Sequence, residues 1–435
     1  MSTAANWAGY FKRQYGGIVT PIPEANTFRR DFAFIPKAKR PGDTYEVNVK
    51  LGKEHGVTHD DTRTAYTYQS SADSIELPAR LRGSSISLVG KIPRDVIEQL
   101  ESAMQRNAPV SGLDEKIAAT LEGTELYTEL MLHYGPGPAS TALSSIGTVS
   151  TIVSGTNLGA GGPIVCDLTR ATWAGGMWNQ FAGGTAMVDV VESDLSTVVE
   201  TDVVVQAVSH DNNRLTLAKS GAATDVDATD VLMARNAIDK SAVGLHGILS
   251  NTGSLFELSA ATYPQWKAET FAAGGALVRS EILALGSRLS RNGLKSGGKL
   301  YLNSAAIADL GDELSDLQTF DSPDGRTSKT KEFGATVLRY HTPCGTIEAV
   351  EDNFMQQGIG MFVGRGNGTK KLVVDRVGAR DVTIEQPGGE IVQNLEGSAG
   401  SQVVGYTNQA PFANIPYHCA LITGITSSGD TSPSA

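Results

Sequence analysis

Two kinds of hydrophobic pattern take turns along the chain, and the points where one replaces the other divide it into segments. In TYEVNVKL (44–51), Tyr45, Val47, Val49 and Leu51 alternate with polar residues; ISLVGKI (86–92) does the same with Ile86, Leu88 and Gly90. Strict alternation marks strands with one buried face, so 41–91 reads as a long two-stranded arm. The polar stretch between the strands, with KEHGVTHDDTRTAY, exceeds a compact turn, and such loops are usually functional or partner-bound. Residues 93–134 switch to helical spacing. Pro93 suits a helix's first turn and RDVIEQLESAM follows; Pro109 and Gly112 then interrupt. In LDEKIAATLEGTELYTELMLHYG, Leu113, Ile117 and Leu121 lie four apart, and Leu126 and Leu130 continue a rotated stripe. With Ser111 or Asp114 as cap and Gly135 at the end, a long helix is predicted over 109–134.

Residues 136–162 are rich in Gly, Ser and Thr and read as a linker. Beyond it come short β-branched runs, TAMVDVV, DVVVQAVS and RLTLA, with a turn at HDNN. Strands at this spacing make a small barrel or sandwich, read here as an inserted domain within 146–237. Residues 244–340 have an α/β pattern. YPQWKAETFA and LVRSEILALGSRLSRNG are predicted helices, the second with Leu277, Ile282, Leu285 and Leu289 on one face and Gly293 at its end. GKLYLN is a strand, Ser304 caps a further helix, and ATVLRYHT is another strand. Residues 344–426 are mainly strands and glycine turns, and SSGDTSPSA is a frayed tail.

Composition adds two points. The 435 residues suggest two to three domains. The charged fraction, 19%, is below the roughly 25% of ordinary domains, and 48 residues are glycine. That combination fits a β-rich fold or a surface largely covered by partners. The net charge of −11 is uneven. Residues 1–40 carry seven Lys and Arg against two acids, net +5, whereas 163–235 carry four against ten, net −6. In 1–40, Pro21, Pro23 and Pro36 block long helices. This segment is a flexible basic arm or an arm that orders on a neighbouring subunit; Trp7, Tyr10, Phe11, Tyr15, Phe28, Phe32 and Phe34 favour the second reading. The overall acidity argues against wholesale coating of nucleic acid. No run of apolar residues is long enough for a membrane helix and no secretory signal opens the chain.

Candidate chemistry is sparse. No HExxH, CxxC, GxSxG or Walker pattern occurs. Cys166, Cys344 and Cys419 match neither a disulfide framework nor a zinc motif, and read as buried thiols. His55 and His59, with Asp60 and Asp61, have metal-like spacing, but Gly56 intervenes in a polar loop and a solvated loop is expected. GRGNGTKK (364–371) lacks the spacing of a phosphate loop and reads as a tight turn. His341 and His418 are read as satisfied core histidines. No catalytic, cofactor-binding or metal residue is therefore expected, no cofactor is implied, and the chain is read as a non-enzyme.

The segment GLHGILSNTGSLFELSAATYPQWKAETFAAGGA (244–276) resembles one common in major capsid proteins of tailed bacteriophages, which share the Hong Kong 97-type fold. Gly244, Leu245, Gly247, Ile248, Gly253, Pro264, Trp266 and Lys267 carry the likeness. GGKLYLNSAAIADL resembles the family's strand entering a helix, and CGTIEAVEDNF (344–354) its strand before a turn. The resemblance covers 41–134 by architecture and 244–426 by motif and architecture.

It implies an α+β Hong Kong 97-like capsid fold with an inserted small all-β domain. The expected layout is an N-terminal arm (1–40), an extended β loop reaching over the adjacent subunit (41–91) and a peripheral domain with the spine helix (92–145). Linker and inserted β domain (146–237) follow, then an axial domain (238–400) and a return to the peripheral domain with the tail (401–435). The implied function is a major capsid protein whose pentamers and hexamers form an icosahedral shell around double-stranded DNA, with weak non-specific DNA contacts. Such a protein is located in the virion and assembled in the host cytoplasm. No helical scaffolding region precedes the arm, so the resemblance implies a separate scaffolding protein and no cleavage; a decoration protein is a further expected partner, and no membrane is. Lys50 and Lys53 lie near the extended loop but lack a recognisable crosslinking partner. The alternative is an encapsulin-like compartment shell, which shares the fold.

Overall fold

The computed structural model describes residues 27–37, 44–55, 73–93, 111–138, 144–155, 157–158, 162–183, 186–195, 197–219, 224–316, 337–384, 393–394 and 400–427. The helix expected after Pro93, the His59–Asp61 cluster and the tail lie outside these residues.

Strands whose burial alternates line one-sided sheets, and strands buried on both faces sit in sheet centres. The first sheet has five strands. Phe34–Pro36 runs parallel to Val374–Ile384, which pairs antiparallel with Gly400–Ala413; Gln393–Asn394 pairs with the start of Gly400–Ala413 on that same side, and the opposite side pairs with Ser84–Pro93. The helix Ser111–Tyr134 packs against this sheet. The second sheet has six strands, in the order Glu269–Gly275, Cys419–Ile425, Ile359–Gly364, Gly298–Leu302, Gly345–Glu351 and Val337–Thr342. Ile282, Leu285, Leu289 and Leu310, on the helices Arg279–Arg291 and Ser304–Asp316, join its strands in one buried cluster.

The strands between 147 and 234 close into a six-stranded antiparallel barrel, ordered Arg214–Ala218, Ile164–Leu168, Gly147–Ser154, Val231–Ala234, Met187–Val191 and Val198–Ser209. Closure leaves no sheet edge exposed. The barrel's first strand, Gly147–Ser154, belongs to the stretch read as linker. The barrel is tied to the six-stranded sheet by backbone bonds from Gln357 to Trp173 (3.0 Å) and from Gly358 to Ala171 (2.8 Å).

Five expectations change. Strand 44–50 pairs with Glu76–Arg82, Tyr45 opposite Leu81, and not with 86–92; the latter is claimed by the longer Gly400–Ala413, whose ten-residue register offers more backbone bonds. YPQWKAETFA is not a helix. Pro264–Trp266 makes one 3₁₀ turn, and Glu269–Gly275 leaves it as a strand parallel to Cys419–Ile425. Two glycines, Gly274 and Gly275, weaken any helix there, and Trp266 Nε1 donates to the Leu255 carbonyl (3.1 Å), fixing the turn. The helix 304–316 is capped by Asn303, one residue before the expected Ser304: the Asn303 side-chain oxygen accepts the Ala305 N–H (3.1 Å). Strand Cys419–Ile425 does not return to the sheet beneath the long helix but lies inside the six-stranded sheet, paired on both sides. Conversely Val374–Ile384, expected in the axial region, lies in the sheet beneath the long helix.

The fifth change concerns how the long helix meets its sheet. The predicted stripe residues Ile117 and Leu121 are only half-buried. The buried line is Thr120, Thr124 and Thr128. Thr124 and Thr128 satisfy their hydroxyls by donating to the carbonyls four residues back (2.8 and 2.7 Å). Small residues let helix and sheet approach closely: a Cβ at Gly405 would collide with the Thr124 hydroxyl and crowd the Thr120 carbonyl. Gly405→Ala is expected to destabilise the protein by about 1–3 kcal/mol through overpacking, measured by thermal or denaturant unfolding; an unchanged midpoint would show that the seam is loose.

Candidate functional site

The N-terminal segment, read from sequence as an arm serving a neighbour, is built into its own chain over residues 27–37. Thr27–Asp31 forms a short helix, and Phe34–Pro36 the edge strand of the five-stranded sheet. Phe28 and Phe32 lie one helical turn apart and are fully buried. Phe28 lies flat on the His133 imidazole (3.7 Å between centroids, 1° between planes) and meets Tyr301 edge-on at 4.8 Å.

Beneath Phe28 lies a cluster of ionisable groups, all nearly inaccessible to water: Glu129 and His133 on the long helix, and Asp352 after the strand Gly345–Glu351. Glu129 caps the arm's first turn. Its Oε1 accepts the Phe28 N–H at 2.6 Å and its Oε2 the Arg29 N–H at 3.0 Å, satisfying donors that a helix start leaves open. His133 Nδ1 is 2.8 Å from the Glu129 carbonyl, and Nε2 is 2.8 Å from Asp352 Oδ2. Asp352 Oδ1 accepts the Phe354 N–H at 2.9 Å. A carbonyl only accepts, so Nδ1 carries a proton, and a further proton lies between Nε2 and Asp352. Burial lifts the Glu129 carboxyl to about 7, against the opposing pull of His133. Burial alone would lower the His133 pKa; the Asp352 charge and hydrogen bond, with Glu129, override it and raise it.

Around this cluster the segment is fixed by ion pairs. Asp31 Oδ2 receives Lys299 Nζ (2.7 Å) and the Tyr301 hydroxyl (2.8 Å). Arg29 pairs with Glu125 and stands 3.7 Å from Asp381. The buried Arg376 donates to the Phe32 carbonyl (3.0 Å), Asp381 (2.8 Å) and Gln409 (2.9 Å), and its guanidinium faces the Phe34 ring at 5.6 Å. Arg29 and Lys37 are thus intrachain anchors, Lys37 Nζ donating to the Glu46 carbonyl. Arg30 is largely exposed.

The hairpin 44–50/76–82 is likewise seated at its base on its own chain. Tyr45, Ala79 and Leu81 are buried. Tyr45 contacts Asn408 through its hydroxyl, which also accepts the Ala379 N–H (2.9 Å). Arg80 bridges Glu46 (3.2 Å) and Glu257 (3.0 Å), and the Gln265 amide donates to the Leu51 carbonyl (2.6 Å). The other face, with Asn48, Lys50, Glu76, Arg80 and Arg82, is exposed.

The remaining sequence candidates are not gathered into a site. His55 and Lys53 are exposed, and Lys50 lies 3.8 Å from Glu76. His341 is exposed, not a core residue. His418 is buried, but in a single 3₁₀ turn, and its Nδ1 has no hydrogen-bond partner. All three cysteines are buried and free, and burial pushes the Cys166 and Cys419 thiols up to about 12, where they are unreactive. GRGNGTKK is a turn between Ile359–Gly364 and Val374–Ile384, with Arg365 bridged to Leu372 and Gly368 in the left-handed region (φ +77°). Among the described residues no group of three His, Cys, Asp or Glu side chains is placed to hold a metal ion, and no helix is long and apolar enough to cross a membrane. Glu129, His133 and Asp352 were missed from sequence. The available signal was a Glu–His pair four apart inside an otherwise apolar helical turn, ELMLHY.

No family model and no curated protein matches the sequence. Solved structures do. The capsid protein of cyanophage A-1(L) aligns over 95% of this chain and 97% of its own, with a TM-score of 0.50 at 11% identity. The SrpI encapsulin of Synechococcus elongatus PCC 7942 aligns over 96% of both chains at TM-score 0.44 and 9% identity. The capsid of cyanophage P-SCSP1u covers 95% of this chain and 92% of its own at TM-score 0.42 and 11% identity. The chain has the fold of a tailed-phage major capsid protein.

The Asp381 carboxyl is held below its ordinary range, although burial opposes this, because Arg376 bonds and charges it and the Val382 N–H donates to it. A depressed carboxylate stabilises the fold above its unfolded pKa and loses that contribution as pH falls through the folded value. Thermal stability should therefore drop below about pH 4, and Asp381→Asn should lower stability at pH 7 while flattening that part of the acid profile. Identical acid profiles for the two proteins would count against the assignment.

Proposed function

We propose that the chain is a major capsid protein that assembles through pentamers and hexamers into an icosahedral shell enclosing double-stranded DNA. The observation that carries this reading is the end-to-end alignment with a phage capsid protein, in which both chains are covered almost completely. The hairpin supports it. A two-stranded ribbon is marginal alone, and this one has a seated base and a polar, exposed outer face suited to contact with a neighbouring subunit. The chain's role in this reading is structural.

The barrel is an added domain in this reading, placed away from the DNA. Three of its basic side chains are neutralised internally, Arg214 by Asp167, Lys219 by Glu200 and Arg235 by Asp202. Glu192, Asp194, Asp211 and Asp227 remain on the surface, and such a face repels phosphate. It is a candidate contact for a decoration protein. Any DNA contact falls to basic residues other than Arg29 and Lys37, which serve the fold.

Electron microscopy of the purified full-length protein tests the reading: closed shells of uniform diameter are expected, and discrete small oligomers under all assembly conditions would overturn it. Nuclease-protected double-stranded DNA inside shells recovered from infected cells separates a capsid from a cargo compartment, which would hold protein instead.

A further inference from the structure

Three turns meet at one end of the six-stranded sheet: 291–298, after the helix Arg279–Arg291; 342–346, between Val337–Thr342 and Gly345–Glu351; and 364–371, after Ile359–Gly364. Backbone contacts lock them together. The Gly297 N–H donates to the Cys344 carbonyl (2.8 Å), and the Arg365 N–H donates to the Gly297 carbonyl (2.8 Å). Asn367 Oδ1 accepts the Lys295 N–H (3.2 Å), and its Nδ2 donates to the Gly293 carbonyl (2.9 Å). The Gly368 N–H donates to Ser296 Oγ (3.2 Å). A Cβ at Gly345 would strike the Gly297 amide and the Lys295 carbonyl, so the first two turns meet backbone to backbone.

These turns carry Arg291, Lys295, Arg365, Lys370 and Lys371 and no Asp or Glu, in a chain whose net charge is −11. All five except Arg365 are exposed. The acids around them are already engaged. Glu348 holds Arg339 (3.3 Å) and Arg365 (2.7 Å), and Asp375 holds Lys371 (2.8 Å). Glu269 holds Arg288 (3.3 Å), and Asp31 holds Lys299 (2.7 Å). Arg291, Lys295 and Lys370 have no acidic partner among the described residues.

The groups between the cations decide the partner's chemistry. Ser296, Asn367 and Thr369 offer hydroxyl and amide groups, whereas Leu294 and Leu372 are buried. Among the described residues, no large hydrophobic side chain is exposed on these turns. A protein interface is built around an apolar or aromatic centre, whereas contact with a phosphate backbone needs only cations and polar donors. The acidic barrel joins the opposite end of the same sheet. It bonds Gln357 and Gly358, just before Ile359–Gly364 begins, and Arg170 donates to the Ser427 carbonyl (2.7 Å). We infer that the three turns form a sequence-independent contact surface for the phosphate backbone of double-stranded DNA, with Arg291, Lys295 and Lys370 as its free cations. This inference rests on the shell reading, which supplies the DNA.

The test is titration of a labelled DNA duplex with unassembled full-length protein at salt concentrations between about 50 and 200 mM. Each cation that neutralises a phosphate adds roughly 0.9 to the steepness with which log K falls against log salt. Lys295→Gln combined with Lys370→Gln should reduce that slope by about two and weaken binding at the lower salt about tenfold or more. Two unrelated duplex sequences should bind alike. Lys53→Gln combined with Lys240→Gln, which removes two exposed cations elsewhere, should keep the wild-type slope. Absence of wild-type binding at the lower salt would overturn the inference, as would an unchanged slope in the first variant or an equal loss in the second. Tighter binding of polyglutamate than of the duplex, charge for charge, would assign the surface to an acidic protein segment and overturn it too. Electron microscopy of the same variants separates this inference from the shell reading. Closed shells with an unchanged salt slope in the first variant would overturn the DNA surface alone. A slope that falls as expected, in a protein that never closes shells, would support the surface and overturn the shell reading.

Discussion

The structure turns on the capping of a short backbone turn by a buried carboxylate. Glu129 accepts two amides from the N-terminal segment, and that contact brings together three distant parts of the chain: the segment, the long helix and, through His133 and Asp352, the six-stranded sheet. A buried carboxylate without partners would carry a large desolvation penalty. Here its oxygens are filled by amides, and its neighbour His133 is held between a carbonyl and a second carboxylate. Removing any member strands the others, which is why such networks act as a unit.

The same logic of close approach governs the sheet beneath the helix. Thr124 and Thr128 return their hydroxyls to the helix backbone, and with Thr120 they keep the seam narrow. The glycine opposite, Gly405, leaves room for it. Ile117, Leu121 and Leu126 remain half-buried on the single chain. Segment, hairpin and helix thus share a design: each is anchored by aromatic or small residues on its own chain while part of its surface stays open.

Much of the architecture was legible in the one-dimensional pattern. The long helix, the strand Gly298–Leu302, the helix ended by Gly293 and the cluster of short strands after 163 all follow local rules of periodicity, capping and turn residues. What local rules missed were choices between competing partners. Strand 84–93 looks as suitable for 44–50 as Glu76–Arg82 does, yet Gly400–Ala413 takes it over ten positions. YPQWKAETFA has acceptable helical composition, yet the neighbouring strand Cys419–Ile425 draws its second half into a sheet. The functional residues were less legible still. The basic and aromatic residues of 1–40 pointed to an arm ordering on a neighbouring subunit, but Arg29 and Lys37 are bound to Glu125 and the Glu46 carbonyl of their own chain.

By itself, then, the sequence determined element types and the broad class of fold, because helix and strand periodicity and turn chemistry act within a few residues. It also placed the basic and acidic segments. Only the tertiary structure decided that residues 27–37 pack on their own chain, that the strand Cys419–Ile425 lies in the six-stranded sheet, and that Glu129, His133 and Asp352 share one buried site. Glu129 and Asp352 are more than two hundred residues apart in the sequence. The raised proton affinity of Glu129 comes from burial, which does not exist until the chain has closed around it.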